Sequence, residues 1–179
     1  MTLIFEENIR TETICTVAKQ MAAAARTAPK ARGIDNLVIA IADKNEIEKI
    51  SKTMEEIANR QESSSFFKRD ANNILNAQYL FLIGTRIKSI NVQPCNLCGF
   101  ANCEAKDKQP DVPCIFNTND LGIAIGSAVS VAANHRIDNR VMYSVGKAVV
   151  DMKLLGDDVK IAFGIPLSVS PKSPFFDRK

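Results

Sequence analysis

Four of the five cysteines of this 179-residue chain lie within one stretch of twenty residues. They are Cys95, Cys98, Cys103 and Cys114, with the spacing C-x2-C-x4-C-x10-C. The surrounding segment, residues 90–116, is rich in Asn, Pro, Gly and Lys and shows neither a helical nor a strand period. A structureless segment of this length is unusual inside a compact domain. The pattern therefore predicts an inserted loop that is ordered by a bound metal centre.

The spacing of the four thiols leaves several interpretations open. Structural zinc sites usually combine two C-x2-C knuckles, whereas this chain has one. An iron–sulfur cluster takes three cysteines from a tight run and a fourth from elsewhere. The first three cysteines form such a run, Cys114 follows after ten residues, and Gly99 permits close backbone approach. The spacing favours an iron–sulfur cluster, with zinc, a disulfide pair or no metal as the alternatives.

Composition and charge exclude several classes of protein. The net charge is +3 and the basic residues are scattered without aromatic partners, which indicates no nucleic-acid partner. No apolar run approaches the ~18 residues that a membrane-spanning helix needs, and the N-terminal residues show no secretory pattern. We therefore expect a cytoplasmic protein with no membrane partner. Thiols stay reduced in that compartment, which weighs against the disulfide.

The apolar pattern predicts a single domain, residues 1–179, that alternates helices with three short strands. Helices are predicted over residues 7–28, 44–61 and 66–76. Residues 36–42, 78–84 and 160–167 are short apolar runs that indicate buried strands. After the cysteine segment, one helix is predicted from a cap within residues 117–120 to residue 134, and another over 137–155 with Asp138 as its cap. The predicted fold class is α+β, an α/β sandwich in which helices flank a small central sheet.

The helix that follows the cysteine segment is unusually rich in small residues. Gly122 and Gly126 lie one turn apart. Glycine inside a helix costs up to about 1 kcal/mol relative to alanine, and the compensation is close approach of another backbone. We therefore expect this helix to be central and to lie against a partner subunit. In the last strand, Pro166 indicates a sheet edge or a strand end.

The segment Cys-Asn-Leu-Cys-Gly-Phe-Ala-Asn-Cys resembles the C-x2-C-G-x3-C signature of small four-iron–four-sulfur domains in electron-transfer and corrinoid proteins of anaerobes. The fourth cysteine follows sooner here than in those domains. Nearly the whole chain resembles a family of bacterial and archaeal proteins described as containing a ferredoxin domain. This resemblance implies a 4Fe-4S cluster on the four cysteines. The other matching stretches are Ala-Ala-Arg-Thr-Ala-Pro-Lys-Ala-Arg-Gly, Ile-Asp-Asn-Arg-Val-Met-Tyr-Ser-Val-Gly, and Gly-Ile-Pro-Leu-Ser with Lys-Ser-Pro-Phe-Phe-Asp-Arg.

The order of elements is similar to that of the flavin-dependent nitroreductases. Ala-Arg-Thr-Ala-Pro-Lys-Ala stands where that superfamily has an Ala-Pro-Ser loop, Asp120 and the small-residue helix stand at its central dimer helix, and Gly-Ile-Pro-Leu stands at its last strand. The resemblance implies a nitroreductase-like sandwich that forms a homodimer with FMN at the subunit interface. The superfamily's Arg-Arg-Ser-x-Arg start is not intact, because Arg10 is followed by Thr-Glu-Thr. The cations that this resemblance offers to the flavin are Arg10, Arg26, Lys30, Arg32, Lys172 and Arg178.

Two hypotheses for function differ in whether the metal centre carries electrons. The first is a redox protein, a flavin-dependent oxidoreductase, in which the cluster exchanges single electrons with a flavin held between subunits. Its redox partner and its substrate are not identified by the sequence. The second is a non-enzymatic dimeric binding module in which zinc or a cluster orders the loop. The single His135 has no identifiable partner for acid–base chemistry, so the sequence identifies no catalytic residue.

Overall fold

The chain forms helices that pack on both faces of a four-stranded sheet. A computed structural model describes residues 3–60 and 65–176. The elements in chain order are α1 (Glu6–Thr27), a 3-10 turn (Ala31–Gly33), β1 (Leu37–Ala42), α2 (Lys44–Arg60), α3 (Ser65–Ile74), β2 (Tyr79–Arg86), α4 (Cys103–Asp107), α5 (Ile115–Asn134), β3 (Asp138–Asn139), α6 (Tyr143–Asp151) and β4 (Val159–Ser168).

The strands are antiparallel and lie in the order β1-β2-β4-β3. Every residue from 80 to 85 in the central strand β2 is buried. The middle residues of β1 are only half-buried, because this strand lies at the edge of the sheet and has one neighbour. In β2, Phe81 and Ile83 contribute to one apolar core and Leu80 and Leu82 to another, since alternate side chains of a strand point to opposite faces.

Each face of the sheet is covered by its own group of helices. Helices α1 and α5 share one core with the odd-numbered side chains of β2, and α2, α3 and α6 share the other core with the even-numbered ones. The predicted α+β sandwich with a small central sheet is thereby confirmed. The cysteine segment connects β2 to α5.

Helix α5 is the small-residue helix of the sequence, and it begins earlier than predicted. Cys114 is its N-cap, so residues 117–120 lie in its first turns rather than before it. Leu121, Ala124 and Ala128 are buried in the core shared with α1. No helix within the described ranges is both long and apolar enough to cross a membrane.

The helix predicted over residues 137–155 is shorter than expected. Asp138 and Asn139 form the strand β3, paired with Ser168 and Leu167 of β4, and the helix begins only at Tyr143. The helical period of the sequence was therefore misleading at its start. Backbone pairing with β4 determines the structure of these first residues, and that pairing is a long-range contact that local periodicity does not contain.

Pro166 explains why β3 is so short. Met142 and Gly164 exchange two backbone hydrogen bonds, at 2.8 and 3.1 Å, and this register places Arg140 opposite Pro166. Because proline has no N–H, it cannot donate on the side of β4 that faces β3. Pairing stops after Asn139 and resumes at Met142. The expectation that Pro166 marks a sheet edge is wrong in detail, since β4 lies between β2 and β3.

Helix α6 packs unusually closely on β4 at Gly146. A Cβ atom at this position would lie 1.7 Å from the carbonyl oxygen of Ala162 and 2.8 Å from the Cα of Phe163. The backbone of the strand cannot yield as a flexible side chain would. Only glycine therefore fits at this contact.

We expect Gly146→Ala to lower the free energy of unfolding by at least about 1–3 kcal/mol, because overpacking of a rigid contact must displace α6 from the sheet. Urea denaturation followed by circular dichroism measures this loss. The control is the neighbouring Lys147→Ala, which removes an exposed ion pair with Asp151 and should change the stability by no more than about 0.5 kcal/mol. Equal stabilities of the two variants would contradict the packing argument.

Candidate metal centre

Turns rather than an apolar core give the cysteine segment its shape. The N–H of Gly99 donates to the carbonyl of Asn96 at 3.1 Å, which closes a turn between Cys95 and Cys98. Gly99 has φ +83°, a left-handed conformation that glycine adopts without a Cβ penalty. At the start of α4, the side chain of Asn102 accepts a hydrogen bond from the backbone of Ala105 at 2.8 Å.

The four predicted metal ligands line a single cavity of about 550 Å³. Cys95, Cys98 and Cys103 are half-buried, and Cys114 is 5% exposed. The wall between them includes Ser89, Phe100, Asn102 and Lys106, among other residues. The structure thus places the four cysteines around one cavity, and their role as metal ligands stays a prediction.

Cys114 reaches the cavity from the opposite end of the segment. The ten residues between Cys103 and Cys114 form α4 and two turns, in which Gln109 N–H donates to the Lys106 carbonyl at 2.8 Å and Val112 N–H to the Gln109 carbonyl at 3.1 Å. At the end of this path, the carbonyl of Cys114 accepts a hydrogen bond that begins α5. The positive end of the helix dipole favours negative charge at this position.

The donor set of the cavity fits a thiophilic metal centre. None of the described residues that line the cavity is a histidine or a carboxylate, so its candidate metal ligands are cysteine thiolates. Among the described residues, no three His, Cys, Asp or Glu side chains are grouped tightly enough to hold a single metal ion.

The fifth cysteine lies elsewhere. Cys15 is half-buried in α1 and lines a different, more open cavity together with Lys19, Asp43 and Tyr79. A hydrogen bond with Cys15 raises the pKa of the Tyr79 hydroxyl, with burial as the second cause. Cys15 is therefore separate from the four-thiol cavity, although it is less buried than a purely apolar role predicts.

Two of the cations that the flavin resemblance offered are engaged in ion pairs. Arg10 Nε donates to Glu6 Oε1 at 2.7 Å, one turn away on α1. Arg26 pairs with Asp35 and donates to the carbonyl of Leu37 at 3.2 Å. Both side chains thus satisfy groups of their own chain.

Lys30 and Arg32 are held by backbone carbonyls. Arg32 Nη1 donates to the carbonyls of Ile90 and Asn91, at 3.0 Å each, and so joins the loop after α1 to the cysteine segment. The Lys30 ammonium caps the end of α1, and burial lowers its pKa. Its three acceptors are the carbonyl oxygens of Ala25, Arg26 and Ala28, at 2.9, 2.6 and 2.7 Å.

Of the flavin candidates, Arg26, Lys30 and Arg32 lie close together at the end of α1 and in the turn that follows it. Lys172 lies exposed in the C-terminal tail, and Arg178 lies outside the described residues. None of the five described cations lines the four-thiol cavity or the cavity at Cys15. Their role as flavin ligands therefore stays a prediction.

A buried carboxylate organises the loop after α1. Both oxygens of Asp120 accept the N–H of Ala31, at 3.1 and 3.2 Å, and the residue is 6% exposed. Burial raises the pKa of this carboxyl, although the bond from Ala31 and the nearby Lys30 oppose the shift. The sequence placed Asp120 among several cap candidates and, by the nitroreductase resemblance, at the central dimer helix, but it did not predict the contact with Ala31.

Lys106 is the residue of the cavity that sequence reasoning missed. It lies in α4 and is 2% exposed, although its neighbours Glu104, Asp107 and Lys108 are all exposed. A charge run of this kind is typical of a solvated face. The one available signal was its position three residues after Cys103, which places both residues on the same side of a helix.

Two comparisons of sequence identify the family. Residues 110–178 match the family described as "Uncharacterized protein containing a ferredoxin domain". Of the four cysteines of the motif, only Cys114 lies within this matched range. A protein of the archaeon Archaeoglobus fulgidus is 38% identical over 185 aligned positions, which cover 98% of this chain and 97% of that protein. The chain belongs to this ferredoxin-domain family. The family predicted from the cysteine segment and the flanking motifs is therefore confirmed.

Solved structures show what fold this ferredoxin-domain protein has. It is similar to a nitroreductase with bound FMN from Bacteroides fragilis, with 10% identity, a TM-score of 0.60, and coverage of 92% of this chain and 81% of that one. It is also similar to a nitroreductase family protein from Clostridium novyi, with 14% identity, a TM-score of 0.59, and coverage of 98% and 79%. At these identities the likeness establishes the nitroreductase fold, as the order of elements predicted.

The pKa of Asp120 predicts a specific pH dependence of stability. Because the folded-state pKa lies above the ordinary value of 3.8, the folded protein retains a proton that the unfolded chain loses. The contribution of Asp120 to stability is therefore fully present below pH 3.8 and is lost as the pH rises through the raised folded pKa. We expect the stability of the parent protein, relative to Asp120→Asn, to fall over this window by at most about 1.4 kcal/mol per pH unit. Chemical denaturation of both proteins across the acid range measures the difference, and two parallel curves would refute it.

Proposed function

We propose that this chain is an iron–sulfur redox protein whose cluster is bound by Cys95, Cys98, Cys103 and Cys114. The observation that carries the proposal is that the thiols of the C-x2-C-x4-C-x10-C motif line one cavity, although they come from a loop, from α4 and from the cap of α5. Membership of a ferredoxin-domain family supports the same chemistry. A 4Fe-4S cluster is the form that we propose.

The proposal of a cluster rather than zinc is supported by the spacing of the cysteines, which includes one C-x2-C knuckle rather than two, and by the ferredoxin-domain family. The four thiols line one cavity of about 550 Å³. A cluster accepts four thiolates at the corners of a wider body, whereas a mononuclear zinc site contracts around its ion.

When bound, the cluster supplies reversible transfer of one electron, from a low-potential one-electron donor to an acceptor of higher potential, with no bond made or broken. The protein supplies the rest. Three half-buried thiols hold the outer side of the centre, and the buried Cys114 holds its inner side at the positive end of α5. This end of the helix favours the negative charge that thiolate ligands carry.

The second part of the proposal is that the protein is a homodimer that binds a flavin, and the nitroreductase fold supports both. The FMN of the Bacteroides fragilis structure belongs to that protein, and the phosphate candidates of this chain are engaged with their own neighbours. We therefore derive no reaction step through a flavin. The dimer has one further support, because the face of α5 that carries Gly122, Ile123 and Gly126 is exposed.

We expect the substitutions Cys95→Ala, Cys98→Ala, Cys103→Ala and Cys114→Ala each to remove most of the bound cluster. The protein purified without oxygen should be brown and should contain about four iron and four sulfide ions per chain. Loss of one thiolate leaves an iron site without its protein ligand. Visible absorbance together with iron, sulfide and zinc analysis measures the effect.

The matched control is Cys15→Ala, which removes the one cysteine outside the cavity and should keep the full iron content. A colourless protein with one zinc ion per chain, even after anaerobic reconstitution, would refute the redox function and favour the metal-ordered binding module. Flavin is scored in the same samples. A yellow, fluorescent supernatant after heating supports the flavin, and its absence from a brown protein removes the flavin from the proposal.

The exposed glycine face of α5 gives a separate prediction about assembly. In the described part of the chain, nothing lies within 4 Å of a Cβ atom built on Gly126, so Gly126→Leu does not disturb the isolated fold. It would, however, separate two backbones that meet at this glycine. We expect the mass in solution to fall from twice 19.6 kDa to 19.6 kDa with little change in the far-ultraviolet spectrum.

Light scattering coupled to size-exclusion chromatography measures the mass. Lys52→Leu on the exposed face of α2 is the control for adding a surface leucine, and it should leave the dimer intact. A monomeric parent protein would refute the predicted dimer, and a Gly126→Leu variant that stays dimeric would place the dimer contact elsewhere.

A further inference from the structure

The four-thiol cavity contains a buried positive charge. Lys106 lines it, and the side chain of this lysine is only 3% exposed. Between residues 91 and 113 every other residue is half-buried or exposed. The one residue that this segment buries is thus not an apolar anchor but a lysine that lines the same cavity as the four cysteines.

The described residues provide little negative charge to compensate the buried charge of Lys106. In the described part of the chain, the Nζ contacts Asp107 Oδ1 at 3.4 Å, which is long for an ion pair. That oxygen also accepts a shorter bond from Ser89 Oγ, at 2.6 Å, and the Asp107 side chain is 54% exposed. Burial of a charge is costly unless a counter-charge compensates it. The position of Lys106 is therefore explained best by negative charge inside the cavity.

We propose that Lys106 is the counter-charge of the metal centre and raises its reduction potential. This inference rests on the proposed function, because thiolate ligands make the bound cluster an anion. Reduction adds one further negative charge, and a nearby cation stabilises the reduced form more than the oxidised form. Net charge and hydrogen bonding around the sulfurs are known to set cluster potentials over a wide range.

The contrast with Lys108 makes the inference testable. Lys108 ends the same short helix but is exposed and does not line the cavity, so water screens its charge. The experiment compares Lys106→Met, which keeps the length of the buried stem but removes the charge, with Lys106→Arg, which keeps the charge, and with Lys108→Met. The readout is the midpoint potential of the cluster-loaded full chain, from redox titration followed by electron paramagnetic resonance.

We expect Lys106→Met to lower the equilibrium constant for one-electron reduction at least tenfold, which is about 59 mV for a one-electron couple. Lys106→Arg should recover most of this loss, and Lys108→Met should stay within about twofold of the parent. Failure of Lys106→Met alone to retain iron, while Lys106→Arg and Lys108→Met stay brown, also supports the counter-charge. If Lys106→Met does not fold, as judged by circular dichroism, Lys106→Gln replaces it.

A fully loaded Lys106→Met protein with the potential of the parent would overturn the inference and leave the proposed function intact. Equal shifts in Lys106→Met and Lys108→Met would overturn it as well, because they would reflect net charge alone. A parent protein that binds no cluster fails in a different way. It refutes the proposed function first, and the inference about Lys106 falls with it.

Discussion

The first turns of α5 hold the parts of the candidate site in register. Two buried side chains, Asn117 and Asp120, accept hydrogen bonds from the backbone N–H groups of Lys88 at 3.1 Å and of Ala31 at 3.1 and 3.2 Å. Such bonds are strongly constraining, because a buried polar group left unpaired costs about 1–3 kcal/mol. The segment after β2 and the loop after α1 are therefore fixed against one helix. Since Cys114 caps that helix, the position of the innermost thiol follows from the same bonds.

The loop after α1 shows how a basic composition can serve the protein's own backbone. Its lysine and arginine were candidates for an anionic ligand, yet Lys30 closes the end of α1 and Arg32 holds the carbonyls of Ile90 and Asn91. Arg32 itself has φ 55°, a conformation that is uncommon for a residue with a Cβ. In the single chain these cations connect the sandwich to the start of the cysteine segment. In this nitroreductase fold, the basic residues of the loop therefore have structural partners within the chain, and their role toward a flavin stays a prediction.

The sequence was sufficient to predict an element wherever a local pattern of residues determines it. The apolar periods of α1 and α2, the runs of β1, β2 and β4, and the spacing of the cysteines all led to the correct element or to the shared cavity. It failed where a distant partner decides. Asp138 was predicted as a helix cap, but its backbone pairs with Ser168 of β4. Lys106 was passed over, because its burial results from the folding of the segment around the cavity and not from its polar neighbours.

The sandwich and the cysteine segment differ in what stabilises them. The sandwich is stabilised by apolar cores on both faces of the sheet, whereas residues 91–113 bury no apolar side chain and include the buried Lys106. A segment of this kind gains little from the hydrophobic effect, so binding of the proposed metal centre would be coupled to its local folding. The anchors Asn117 and Asp120 lie beyond the segment, on α5, and do not depend on the thiols. We therefore expect loss of the proposed centre to loosen the segment between β2 and α5, while the helix that presents Cys114 stays attached to the sandwich.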